Sequence, residues 1–204
     1  RSGLGGTCMV AWKSGGDGSL RSATVLYTPV MGYWHAFART DDQLGFMLMP
    51  FDVKPSGAAF FERLQFAPDR PCRIAVVPKS APDTAQWFEA DFTAAYHFGD
   101  AYQRNGRIVM RTVRHDDINE ARSPMHAAMA GDAAHATHAN ASLRELHLNL
   151  RTGKAHWEET GVQGIEFPLF DRRSAGGRGA RLYAPAMQGE TTAPYFNAVA
   201  SYDV

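Results

Sequence analysis

Short runs of alternating β-forming residues, closed by turn chemistry that only tight reversals require, recur along this chain and confine it to antiparallel sheet. The clearest run has Leu146, Leu148 and Leu150 alternating with Glu145, His147 and Asn149. Residues two apart on a strand share a face, so the leucines are read onto a core face. Arg151-Thr152-Gly153-Lys154 then turns the chain and 155–159 returns. Asn105-Gly106 likewise joins a strand through His97 to one over 107–113, because the matching hairpin turn needs positive φ at both central positions. A third hairpin runs from Cys8–Trp12 through Ser14-Gly15-Gly16-Asp17-Gly18 into Leu20–Leu26.

Helical periodicity is nearly absent. One Ala-rich stretch over 124–140, with Met125, His126, Met129, His135 and His138, reads as a loop excursion holding one or two short helices, interrupted by Gly131. Hairpins returning every ~40–60 residues read as propeller blades, each a small sheet that hides its faces only against its neighbours. The expectation is an all-β chain, a single domain over 1–204, forming a partial β-propeller of about four blades. Its last residues, 198–204, read as the first strand of a further hairpin, so the chain is expected to be truncated at both ends.

Composition excludes several classes. With 45% hydrophobic and 21% charged residues the chain is globular, and its 21 basic and 21 acidic residues cancel without clustering. A nucleic-acid footprint is therefore missing. No apolar run reaches membrane-spanning length, and Arg1-Ser2-Gly3-Leu4-Gly5-Gly6 lacks the layout of a secretion signal. Cys8 and Cys72 are too few and too far apart for a disulfide framework; they are expected to be buried thiols in a cytoplasmic protein.

Two histidines stand in unusual contexts: Trp34-His35-Ala36-Phe37-Ala38-Arg39-Thr40 and Tyr96-His97-Phe98-Gly99-Asp100-Ala101-Tyr102. Neutral imidazole is a common metal ligand, but neither has a local partner, and at 62 positions apart they fit no compact zinc-finger spacing. A shared metal would have to be a tertiary site. From spacing alone, two hydrogen-bonded core histidines remain the ordinary reading.

Five segments in order resemble the carotenoid cleavage oxygenase family, which includes apocarotenoid oxygenases, lignostilbene dioxygenases and the vertebrate retinoid isomerase. They are the two histidine segments, Pro71-Cys72-Arg73-Ile74-Ala75-Val76-Val77-Pro78-Lys79, Glu166-Phe167-Pro168, and Arg181-Leu182-Tyr183-Ala184. The resemblance implies a seven-bladed propeller with Fe(II) on its axis, held by four histidines from different blades. It makes His35 and His97 metal ligands and Glu166 the carboxylate that accepts a ligand's second ring N–H. The implied reaction is oxidative cleavage of a conjugated C=C bond by dioxygen, yielding carbonyl products from an apocarotenoid or stilbene.

The implied partner is thus a hydrophobic conjugated small molecule, with peripheral membrane contact for its uptake and no nucleic acid. Phe46, Met47, Met49, Phe51, Phe60, Phe61 and Phe66 form an aromatic, sulfur-rich stretch expected to divide between plain core and the wall of an apolar substrate tunnel. Departures from the family pattern fall at Ala36, Lys79, Gly99-Asp100 and Gln103. The first and fourth ligand histidines have no counterpart, so the chain alone is expected to bind iron weakly and to be inactive. His115, His126, His135, His138, His147 and His156 match no ligand position and are read as surface or loop residues. The competing reading is a non-catalytic propeller fragment or degenerate homologue acting as a binding module.

Overall fold

The computed structural model describes residues 7–54, 63–115, 141–171, 181–189 and 196–203, together with Ala127, Ala130, Gly131 and Arg173. The helical excursion over 124–140 falls almost wholly outside the described residues, as do Phe60 and Phe61.

Among the described residues four antiparallel sheets follow one another along the chain. The first pairs β1 (Thr7–Ser14) with β2 (Leu20–Thr28). The second contains β3 (Gly32–Tyr33), β4 (Ala38–Arg39), β5 (Gln43–Val53), β6 (Leu64–Phe66), β7 (Cys72–Pro78) and β8 (Gln86–Ala90). Its order is β3-β5-β7-β8, with β4 and β6 also on β5. The third is a consecutive meander of β9 (Ala94–Arg104), β10 (Arg107–His115), β11 (Ala141–Asn149) and β12 (Ala155–Gln163). The fourth contains β13 (Leu169–Phe170), β14 (Arg181–Ala186) and β15 (Ala198–Asp203).

The expected turns form for the expected reasons. Asn105 and Gly106 adopt φ of 50° and 71°, the positive pair that matches the right-handed twist of β9 and β10. Between β11 and β12, Gly153 supplies φ of 71° while Asn149 Oδ1 accepts the N–H groups of Arg151 and Thr152. The return strand runs further than 155–159, to Gln163, past Gly161 at a φ of 78°.

The third sheet is buried on both faces, which explains why β10 shows no polar alternation. Ile108, Met110, Leu146 and Leu148 pack with Met47, Ile74, Val76 and Phe88 of the second sheet. On the opposite face Val113 and Leu143 pack with Ile165, Leu182 and Ala184 of the fourth. The sheets are thus stacked face to face, and β9 lies between β4 and β13 while β8 meets β12. First strands touch first strands and last strands touch last strands, as in a partial propeller whose blades fan out from an inner edge. Close contact is enforced where a Cβ at Gly45 would sit 2.7 Å from Met110 Sδ.

The cysteines separate. Cys72 is buried, and burial pushes its thiol pKa up to about 11. Cys8 is exposed, contrary to expectation, because it sits on a two-stranded sheet with a solvated face.

Candidate metal centre

His35 sits in the bend between β3 and β4, two short segments held in line by separate pairing to β5. Gly32 permits that approach, since a Cβ there would lie 2.5 Å from Leu48 Cβ. Thr40 of the same motif closes the following turn: its Oγ1 accepts the N–H of Gln43, and Lys79 Nζ donates to the carbonyls of Thr40 and Asp41. Lys79 thus holds the turn through point-charge contacts to two carbonyls.

His97 lies mid-strand on β9, where the pairing to β10 shifts register twice, between Met110 and Thr112 and between Thr112 and Arg114. Such bulges re-aim side chains and break strict alternation. Tyr96 turns toward the same cluster as His97: its ring stands 5.6 Å from His35 and 6.0 Å from His115. Thr112 Oγ1 donates to the His97 carbonyl at 2.8 Å and holds the irregular backbone in place.

The two rings meet. His35 and His97 have centroids 5.2 Å apart at an interplanar angle of 84°. Two imidazoles sharing one ion at about 2.1 Å, with N–metal–N angles between square and tetrahedral, hold centroids about 4.6–5.3 Å apart. Each Nδ1 is already engaged, His97 with Glu166 at 2.9 Å and His35 with the Tyr33 hydroxyl at 3.2 Å, which leaves both Nε2 atoms for a metal. Burial, and then the neighbouring His97, lower the His35 pKa, while Glu166 opposes them, so a neutral ligand-ready ring is favoured. These residues fit a histidine-held divalent iron.

Glu166 follows the bridge between Ile165 and Ala186 and is 3% exposed. Its carboxylate accepts three hydrogen bonds: from His115 Nε2 at 2.7 Å, His97 Nδ1 at 2.9 Å and the Phe167 backbone N–H at 2.7 Å. Burial alone would raise its pKa, but those donors outweigh burial and hold it at about 2. An ionised acceptor fixes the tautomer of both histidines, since each facing nitrogen must carry its proton. Phe167 adopts φ of 50°, an outlier for a bulky side chain, and its ring lies 4.6 Å from His97. Strain of about 1–3 kcal/mol there is held by the surrounding contacts.

His115 corrects the reading of the six remaining histidines as surface or loop. It is 4% exposed at the end of β10, facing the second oxygen of Glu166. His147 is half-buried and His156 exposed on the third sheet, while His126, His135 and His138 lie outside the described residues. Sequence reasoning also missed Tyr33 and Tyr96; their signal was proximity to the two motif histidines.

Asp100 is fully buried, 3.8 Å from the buried Arg111, which compensates its charge. Gly99 is needed beside it, since a Cβ would approach Leu182 Cδ1 to 2.8 Å. The expected tunnel residues do not share one wall. Met49 is buried in the core between the second and third sheets, whereas Phe46 joins the cluster on the other face of β5 and stacks on Phe37 at 5.4 Å. Phe51 is buried near Phe66.

Comparison with known proteins identifies the family and the fold. Residues 5–204 match the model of a family described as retinal pigment epithelial membrane protein, RPE65. A carotenoid 9,10(9',10')-cleavage dioxygenase of Crocus sativus is 25% identical over 161 residues, covering 76% of this chain and 28% of that protein. One from Pisum sativum is 26% identical over 165 residues, 78% and 29% respectively. The chain therefore spans under a third of the curated relatives it matches. The fold is shared with cobalt-substituted Synechocystis apocarotenoid oxygenase, at a TM-score of 0.81 and 17% identity over all of this chain and 42% of that one. It is shared too with Pseudomonas brassicacearum lignostilbene dioxygenase, at a TM-score of 0.71 and 21% identity, covering 95% and 43%.

Proposed function

We propose, because this chain belongs to the retinal pigment epithelial membrane protein (RPE65) family, that it carries part of the Fe(II) centre of a dioxygenase cleaving a conjugated C=C bond of an apocarotenoid or stilbene. One observation carries the reading: His35 and His97 stand ring to ring at 5.2 Å while Glu166 occupies the far nitrogen of His97. Carotenoid cleavage among the similar plant enzymes supports the substrate class.

Fe(II), when bound, supplies the dioxygen chemistry. The chain's own residues do the rest. His35 and His97 present Nε2 as neutral donors, which leave the ion its full charge. Glu166 orients His97 and fixes its tautomer, and His115 grips the other oxygen so that the carboxylate cannot rotate away. Phe167 covers one side of His97 and is itself half-exposed, which leaves an aromatic surface beside the ring on which a conjugated polyene or stilbene can stack.

Two imidazoles hold iron weakly by themselves. The test therefore runs the gene product carrying this sequence beside the 204-residue chain. Each is loaded with Fe(II) under nitrogen and exposed to dioxygen with apocarotenals or hydroxystilbenes, and products are identified by mass. The expected result is a pair of carbonyl products from the gene product, lost together with bound iron in His97→Ala. Undiminished iron and cleavage in that variant would sink the assignment.

A further inference from the structure

We propose a second metal site, for Zn2+ or a similar borderline divalent ion, on the outer hairpin of the third sheet, formed by His147, His156 and Glu158 with Glu145 beside them. The register of β11 and β12 sets His147 directly opposite His156 and Glu145 directly opposite Glu158. Residues two apart on a strand share a face, so these four side chains form a square on one surface of the hairpin.

The imidazoles stack at 5.1 Å with an interplanar angle of 21°. Both turn Nε2 toward the same carboxylate: His156 lies 3.0 Å from one oxygen of Glu158 and His147 3.4 Å from the other. The ligand atoms of His147, His156 and Glu158 all lie within 4.8 Å of one another. A tetrahedral ion with bonds of about 2.1 Å needs ligand atoms about 3.4 Å apart, a closure that side-chain rotation alone supplies. Glu145 braces the arrangement, one oxygen 3.1 Å from His147 Nε2 and the other accepting Arg111 Nε at 2.9 Å. Glu145 thus faces the same nitrogen that would bind the ion, and is placed to fill the fourth position as a ligand in place of water.

Charge points the same way. Asp100, Glu145 and Glu158 are negative, and Arg111 with the neighbouring Arg107 leaves one negative charge in excess. Two imidazoles and a carboxylate suit zinc and its neighbours rather than calcium or magnesium. His147 and Glu145 are mostly buried and His156 and Glu158 open, so the site is half-organised yet reachable. His147 lies six residues along β11 from Ala141, the partner of His115, so about 20 Å of strand separates this site from the His115–Glu166 pair.

Metal-free chain is titrated with Co2+, whose visible d–d bands report tetrahedral binding, and then with Zn2+ in competition. In a His97→Ala background that disables the first centre, one Co2+ per chain is expected, displaced by Zn2+. Adding His156→Gln or His147→Gln should weaken binding at least tenfold, while His35→Ala should not. The same loss of one equivalent on His156→Gln is expected without His97→Ala, which keeps the test valid should that variant fold poorly. Absence of Co2+ binding in the His97→Ala chain, or equal binding with and without His156→Gln, would overturn the site.

Discussion

Replacing Glu166 with Gln keeps the shape of the side chain and removes its charge. In the folded chain three donors hold the carboxylate, and its pKa falls from 4.5 to about 2. That shift corresponds to about 3 kcal/mol favouring the ionised form in the native state, with no discount for solvent because the side chain is 4% exposed. Hydrogen bonds to a charged acceptor contribute about 1.5–3 kcal/mol each, offset by the several kcal/mol of burying the ion, which leaves a net of the same size. Glu166→Gln should therefore cost about 3 kcal/mol at pH 7. Because the folded pKa lies below the unfolded one, the contribution is fully present above pH 4.5 and is lost as pH falls through about 2. By pH 3 the gap between wild type and variant should have shrunk to roughly half. Urea unfolding of metal-free protein, followed by tryptophan fluorescence at both pH values, measures the two gaps. A variant within 1 kcal/mol of wild type at pH 7, or a gap that persists undiminished at pH 3, would refute the reasoning.

His115→Ala should destabilise by about 2 kcal/mol by leaving a Glu166 oxygen unpaired, and His115→Gln should restore part of this, both read from the urea midpoint at constant slope. Iron affinity should fall about tenfold in His115→Ala, less than on direct loss of His97, as checked by Fe(II) titration. A thiol-reactive disulfide reagent should modify Cys8 in the native chain and reach Cys72 only after denaturation, because burial holds the latter thiol at about 11. Gly99→Ala should cost about 1–3 kcal/mol from collision with Leu182, whereas Gly106→Ala, with open space around it but φ of 71°, should cost about 1 kcal/mol; thermal unfolding separates the mechanisms by whether Leu182→Ala rescues the loss.

Much of the architecture was legible because it is local. Asn105-Gly106 and Thr152-Gly153 carry turn chemistry that needs no tertiary knowledge, and the leucine alternation in β11 faces a core cluster at Leu146 and Leu148. The reach of β12 beyond Glu159 was not legible: its alternating, mostly exposed pattern is that of an edge strand, where polarity blurs the end. Cys8 misled for a related reason, since a small apolar residue on a strand carries no mark of which face is solvated.

The site was legible only where motif and chemistry coincided. His35, His97 and Glu166 stand in segments whose family resemblance assigns them roles, and the structure brings them together. His115 had no such mark. It ends a strand buried on both faces, so neither period nor polarity distinguishes it from Val113 before it. Yet a buried imidazole must find a partner, and among strands stacked face to face that partner comes from the neighbouring sheet, here Glu166, 51 positions later. Glu166 needs His115 as much as the reverse: with His97 and the Phe167 N–H on one carboxylate oxygen, the other would be left unmatched, and a charge so placed either finds a further donor or picks up a proton. A buried histidine one strand beyond His97 is thus what Glu166 requires to stay ionised at the centre of this fold.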